Sequence, residues 1–211
     1  MSAIGSGAFG TVFKVKHKLV DKIYAVKRIQ INESKKLIKD KVLNEAINLA
    51  KLDSDFVVNY YHSWIEEKYL YIQMEYCSQT LGSVIKDKDI IFDKKLLKAM
   101  DIYEYFISCE IFREILQCLQ YLHSRTPPII HRDIKPENIL VLQNIKNDTF
   151  LKLGDFGLAT EHHDQSQSHT QGAGTLKYMA PDVGFNKKYD FKADIYSAGV
   201  IGLKLFEINT M

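Results

Sequence analysis

His131-Arg132-Asp133-Ile134-Lys135-Pro136-Glu137-Asn138, then the strand-like Leu151-Lys152-Leu153-Gly154, then Asp155-Phe156-Gly157, is the stretch on which the reading of these 211 residues turns. Here the chain brings close in sequence the carboxylates of Asp133 and Asp155, the carboxamide of Asn138 and the ammonium of Lys135, which no core-building pattern asks for. Moving a phosphoryl group onto a hydroxyl demands such a set, because it needs positioning and charge neutralisation more than covalent chemistry. Asp133 is the candidate for orienting the hydroxyl and Lys135 for the cation on the moving group. Asn138 and Asp155 are candidate metal ligands, since oxygen donors suit Mg2+, which binds through one or two carboxylates and keeps its waters.

Working toward the N-terminus, Tyr24-Ala25-Val26-Lys27 ends an apolar run with a lysine. A lysine on the inward side of a strand needs an anion, and Glu45, on the helical pattern that follows, is placed to hold it extended. A solvated surface pair is the plainer alternative. Gly5-Ser6-Gly7-Ala8-Phe9-Gly10-Thr11-Val12 is G-x-G-x-x-G-x-V running into a strand, whereas the dinucleotide fingerprint would open a helix. Its glycines allow backbone amides to approach phosphates where a Cβ would intrude. Taken alone, it is equally a glycine-containing hairpin.

Residues 11–17, 23–29, 57–65 and 69–75 alternate or are rich in Val, Tyr and Ile, which predicts an antiparallel sheet. Residues 35–52 put Leu37, Ile38, Val42, Ala46 and Leu49 at helical spacing, so one helix packs on that sheet. Helical periodicity takes over from about residue 80. It is clearest from Tyr103 to Arg125, which Pro127-Pro128 ends, and residues 86–102 have no decided structure. The polar run 160–175 predicts a mobile loop. The fold class expected is therefore α+β: a sheet with one helix over residues 1–77 and a mainly helical part over residues 78–211.

With these motifs in order, the chain resembles eukaryotic protein kinases along essentially its whole length. The resemblance implies a two-lobed fold, with ATP and Mg2+ as cofactors. The ATP-binding residues it implies are Ile4, Gly5, Gly7, Gly10, Val12, Ala25, Lys27, Met74, Glu75, Cys77 and Leu140. Ala25 and Val12 would cover one face of the adenine and Leu140 the other; Met74 is similar to the gatekeeper, with hinge backbone groups at Glu75 and Cys77. Asp194 resembles the aspartate that braces the catalytic loop. Lys135 and Gly174-Thr175-Leu176-Lys177-Tyr178-Met179-Ala180-Pro181 resemble serine/threonine rather than tyrosine kinases.

More narrowly, Asn59 to Glu66 and Leu70 to Cys77 resemble kinases of the alpha subunit of translation initiation factor two, with a mitotic-type kinase as competitor; a truncated, non-catalytic ATP-binding or scaffolding kinase fragment is the alternative from another class, against which the intact Asp133 and Asp155 stand. The resemblance makes a protein the substrate, and the assembly it admits is a homodimer through the N-lobe. Thr170 and Thr175 are the expected phosphorylation sites of the loop, with Arg132 placed to bind a phosphate there. His162, His163 and His169 lack a fourth ligand and read as solvated loop residues.

Composition narrows the classes further. A formal net charge of +2, with 46% hydrophobic and 26% charged residues, gives no field that points to nucleic acid or a membrane surface. Cys77, Cys109 and Cys118 contain no C-x-x-C pair, which fits a reducing compartment and hence the cytoplasm. No stretch approaches the ~20 apolar residues of a membrane span. Two departures stand out. Asp182 occupies the place where kinases usually carry Glu, and the apolar segment Ile195 to Ile208 predicts a helix that others should bury, so the C-lobe is expected to be incomplete.

Overall fold

The computed structural model describes residues 2–7, 10–31, 36–92, 100–146, 149–162, 174–184 and 190–208. Five strands, β1 (Ser2–Gly7), β2 (Gly10–Lys16), β3 (Ile23–Gln30), β4 (Tyr60–Glu66) and β5 (Tyr69–Glu75), form one sheet in the order β1-β2-β3-β5-β4. Every pairing in it is antiparallel. In β5 the alternation is strict: Leu70, Ile72 and Met74 are buried while Tyr69, Tyr71 and Gln73 stay half-buried on the other face. The helix α1 (Lys36–Ala50) turns Glu45, Ala46 and Leu49 inward.

The second part begins with a short strand, β6 (Gln79–Thr80), which runs directly into α2 (Leu81–Ile91). Residues 86–102, undecided from the sequence, thus start inside a helix. Its start is fixed by a capping box, Ser83 N–H donating to Thr80 Oγ1 and Thr80 N–H to Ser83 Oγ. Asp101 caps α3 (Ile102–His123) by accepting from the amide of Tyr103 at 2.8 Å. Four short strands follow: β7 (Ile129–Ile130), β8 (Ile139–Lys146), β9 (Thr149–Leu153) and β10 (Thr160–Glu161). They make a three-stranded sheet, β6-β8-β9, and a two-stranded one, β10-β7. The helices α4 (Pro181–Gly184) and α5 (Lys192–Leu205) complete the described elements.

One expectation changes here. Val57 and Val58, read as the start of a strand, lie outside β4; both are 1% exposed and clip onto β9, Val58 N–H donating to the Leu153 carbonyl at 2.9 Å. Their β-branched character reflects burial rather than sheet membership. The helix α5, expected from an incomplete C-lobe to lack some of its covering elements, is buried on one side only. Ala198, Ile201 and Leu205 are fully buried, while Ile195 and Tyr196 are 44% and 45% exposed.

The core is continuous across both parts, from Ile29 and Leu49 through Ile72 and Val57 to Leu153, Ile115 and Phe156. Phe156 is fully buried, with its ring 4.8 Å from that of His131, so Asp155 stands on an anchored neighbour. Among the described residues no helix is long and apolar enough to cross a membrane.

Candidate active site

Between the five-stranded sheet and β8 lies a cavity of about 430 Å³. It is lined by Ile4, Gly5, Ser6, Gly7, Gly10, Val12, Ala25, Lys27, Glu45, Val58, Met74, Glu75, Cys77, Lys135, Glu137, Asn138, Leu140, Gly154 and Asp155. The structure therefore brings together all eleven residues read as a nucleotide site, although the chain delivers them from five strands, β1, β2, β3, β5 and β8, and from Cys77 just after β5. Ser6, Val58, Glu137 and Gly154 were not foreseen. Ser6, Glu137 and Gly154 each lie inside a quoted motif; Val58 does not.

The glycines of the motif divide into two kinds. A Cβ on Gly5 or Gly7 would meet nothing of the protein within 4 Å, so the space beside them belongs to the cleft. A Cβ on Gly10, held at φ +120°, would lie 2.3 Å from the carbonyl oxygen of Arg28. Gly10 answers to the protein's own backbone, whereas Gly5 and Gly7 keep room for a ligand. Gly10→Ala is expected to lower unfolding stability by about 1–3 kcal/mol. Gly7→Ala should leave stability alone and weaken nucleotide binding; denaturant melts and a nucleotide titration of both variants check this.

At the inner end, Lys27 Nζ lies 2.6 Å from Glu45 Oε1 and 2.7 Å from Asp155 Oδ1, with Lys27 5% and Glu45 2% exposed. Burial pulls the lysine pKa down, but the charges and hydrogen bonds of the two carboxylates outweigh it and hold it above the ordinary value. Burial also presses on Asp155, yet Lys27, then His131 and the Gly157 amide, keep its carboxyl below the usual range. Lys27 as ammonium and Asp155 as carboxylate are thus the stable forms. Burial pushes the Glu45 carboxyl up, against the pull of Lys27. At the outer end, burial and then Glu75 push the Cys77 thiol up to about 12 despite Lys152, so it is a neutral wall residue at physiological pH.

Beside the cavity sits the second cluster. Asp133, 5% exposed, accepts from Lys135 Nζ at 2.7 Å and from Asn138 Nδ2 at 2.9 Å. Asn138 Nδ2 also reaches the Asp133 carbonyl at 2.9 Å, fixing the loop to itself. The loop is braced from α5: both oxygens of the buried Asp194 accept backbone amides, from His131 and from Arg132, each at 2.9 Å. Oδ2 also meets His123 Nε2 at 2.9 Å. Arg132 (φ 68°) and Asp155 (φ 58°) both take left-handed backbone conformations, a strain that the surrounding bonds must hold.

Two expectations about phosphorylation meet different geometry. Thr175 Oγ1 donates to Asp133 Oδ1 at 2.8 Å and accepts from Lys135 Nζ at 3.0 Å. A phosphate on that oxygen would set about two negative charges against Asp133, so the place of Thr175 is inside the cluster rather than on display for modification. Arg132 Nε donates to the Leu158 carbonyl. Thr170 lies outside the described residues, as do His163 and His169.

A carboxylate holding a hydroxyl, a lysine fixed between two carboxylates, two metal-competent oxygen donors and a glycine-walled cleft define a phosphotransfer site of the protein kinase type. The protein kinase domain family model matches residues 1–211, and the chain belongs to that family, whose two-lobed fold it shows in part. It is 34% identical over 94% of its length to the interferon-induced, double-stranded RNA-activated protein kinase of Mus musculus. Similarity is as high to the serine/threonine-protein kinase hippo of Drosophila melanogaster (35% over 98%) and to the serine/threonine-protein kinase ppk11 of Schizosaccharomyces pombe (33% over 97%). The chain spans 38%, 28% and 60% of the lengths of these three relatives.

Proposed function

We propose that this chain transfers a phosphoryl group from ATP to serine or threonine hydroxyls of a protein. The observation that carries the proposal is the way Asp133 is already used: its carboxylate accepts a hydrogen bond from a threonine hydroxyl while Lys135 contacts the same oxygen. Asp133 would orient an incoming hydroxyl in the same manner, with Lys135 beside it as the cation. Lys27, held by Glu45, would grip the nucleotide phosphates, and Met74, Glu75 and Cys77 would border the base. The fit of the nucleotide rests on the free space at Gly5 and Gly7 and on the apolar walls Val12, Ala25 and Leu140. Asn138 and Asp155 would hold Mg2+, which supplies charge neutralisation at the phosphates.

The substrate proposed is the alpha subunit of translation initiation factor two, in the cytoplasm. Its support is the resemblance of Asn59 to Glu66 and Leu70 to Cys77. A second reading, a serine/threonine kinase of another subfamily, is favoured by equal similarity to relatives such as hippo and the probable kinase nek3 of Dictyostelium discoideum. Side-by-side phosphorylation of that subunit and of an unrelated serine-rich protein decides between them. Preference for the subunit supports the first reading; equal labelling overturns it in favour of the second.

A further inference from the structure

Lys152 is unusual in this chain: a lysine on a strand, 3% exposed, that touches neither the phosphate end of the cleft nor the Asp133 cluster. Its Nζ is 3.0 Å from Glu75 Oε2 and 3.2 Å from Asn59 Oδ1. Glu75 and Asn59 are themselves tied twice, Glu75 N–H donating to the Asn59 carbonyl at 2.9 Å and Asn59 N–H to Glu75 Oε2 at 3.3 Å. Glu75 ends β5 and lines the cleft, whereas Lys152 belongs to β9, which runs through Leu153 and Gly154 into Asp155. One buried ammonium therefore joins the segment beside the base to the strand that delivers the phosphate-end carboxylate.

The join is stiff along its length. Val58 N–H donates to the Leu153 carbonyl and Leu153 N–H to the Phe56 carbonyl, each at 2.9 Å. These backbone bonds hold the 56–59 segment on β9; Glu75, paired with Tyr24 of β3 at the end of β5, is joined to that segment by the Asn59 pair and to β9 by the Lys152 contact. A buried charge keeps such a position only while its partners remain in place, so this network defines one distance across the cleft.

We propose that Lys152 is a positioning residue for the nucleotide: through Glu75 and Asn59 it fixes the base-contacting segment relative to Asp155, and so sets selectivity for the base. The proposal rests on the reading of the cleft as a nucleotide site. Loosening the strut lets the base end drift while Lys27, and Asp155 by way of Mg2+, would still hold the triphosphate. Affinity for ATP falls, affinity for GTP changes less, and the ratio of the two moves toward one. Loss of general stability alone would not move that ratio.

The test measures ATP and GTP affinities, with Mg2+, for the wild-type chain and two variants. Lys152→Met with Glu75→Gln removes both charges, so neither is left buried alone; Asn59→Ala keeps the ion pair and serves if the double variant does not fold. The expected result is a roughly ten- to hundredfold loss of ATP affinity in the double variant, the scale of a slightly misplaced binding group. The ATP-to-GTP ratio should collapse there, with a smaller shift of the same sign in Asn59→Ala. Wild-type affinity and ratio in folded variants overturn the role of Lys152. A wild-type chain that binds neither nucleotide overturns the nucleotide cleft itself, and the strut with it, and is told apart because it needs no variant.

Discussion

Replacing Lys27 by methionine is expected to cost the chain about 3–5 kcal/mol of stability, the usual penalty for removing one partner of a buried ion pair. The residue lost contacts both Glu45 and Asp155, and Glu45 is 2% exposed, so water does not replace the ammonium. Against the 5–15 kcal/mol that holds an ordinary domain together, that loss is visible as a large drop in the denaturant midpoint. Nucleotide affinity should fall as well, by roughly ten- to a hundredfold if one charge-assisted contact to phosphate is lost. Adding Glu45→Gln to the methionine variant should restore part of the stability and none of the affinity, which separates the two effects.

The sign of the pH dependence follows from the same geometry. Lys27 has a raised folded pKa, so its contribution is in place below the ordinary lysine value and is lost only as pH rises through the folded one. Asp155 has a lowered pKa, so its contribution is in place above the ordinary carboxylate value and fades as pH falls through the folded one. Between those limits the Lys27–Asp155 contact is insensitive to pH. A melting series should show the nucleotide-free chain losing this contribution at the acid and alkaline ends.

Asp133→Asn is the second large effect, and it falls on rate rather than on folding. Asparagine is isosteric, can still accept from Lys135, and keeps the brace that Asp194 gives to the amides of His131 and Arg132. What it cannot do is take the developing proton of the hydroxyl. A positioned general base contributes about 10²–10⁴-fold, so the rate of transfer should fall by that factor. The KM for ATP should stay near its wild-type value, because Asp133 is not among the residues lining the cavity. A variant with wild-type rate, or one whose loss lies entirely in KM, would remove Asp133 from the role proposed for it.

Much of the candidate site was legible because its residue types contradict their local patterns. Lys27 closes an apolar strand and Asp133, Lys135 and Asn138 crowd a short loop; neither serves a core, so a site was the simplest account. What escaped notice was whatever only the tertiary fold defines. Lys152 reads only as part of a strand-like stretch, and its burial at 3% exposure beside Glu75 and Asn59, both distant in the chain, is set by the tertiary fold. The Thr175 hydroxyl read as a modification site, since nothing in the sequence shows that the chain folds it back onto Asp133. Only the periodicity that begins near residue 80 places the start of α2; its capping box, Thr80 with Ser83 where Glu or Gln is usual, went unread. Val57 and Val58 show the reverse error, strand-forming side chains used to fill the join between the two halves of the core.

The most direct measurement is transfer of the γ-phosphate of labelled ATP, with Mg2+, to a protein hydroxyl. The expected result is label on serine or threonine that depends on Mg2+ and nearly vanishes in Asp133→Asn. A wild-type chain that binds ATP and Mg2+ yet labels no protein, or whose label survives in Asp133→Asn, would contradict the kinase role.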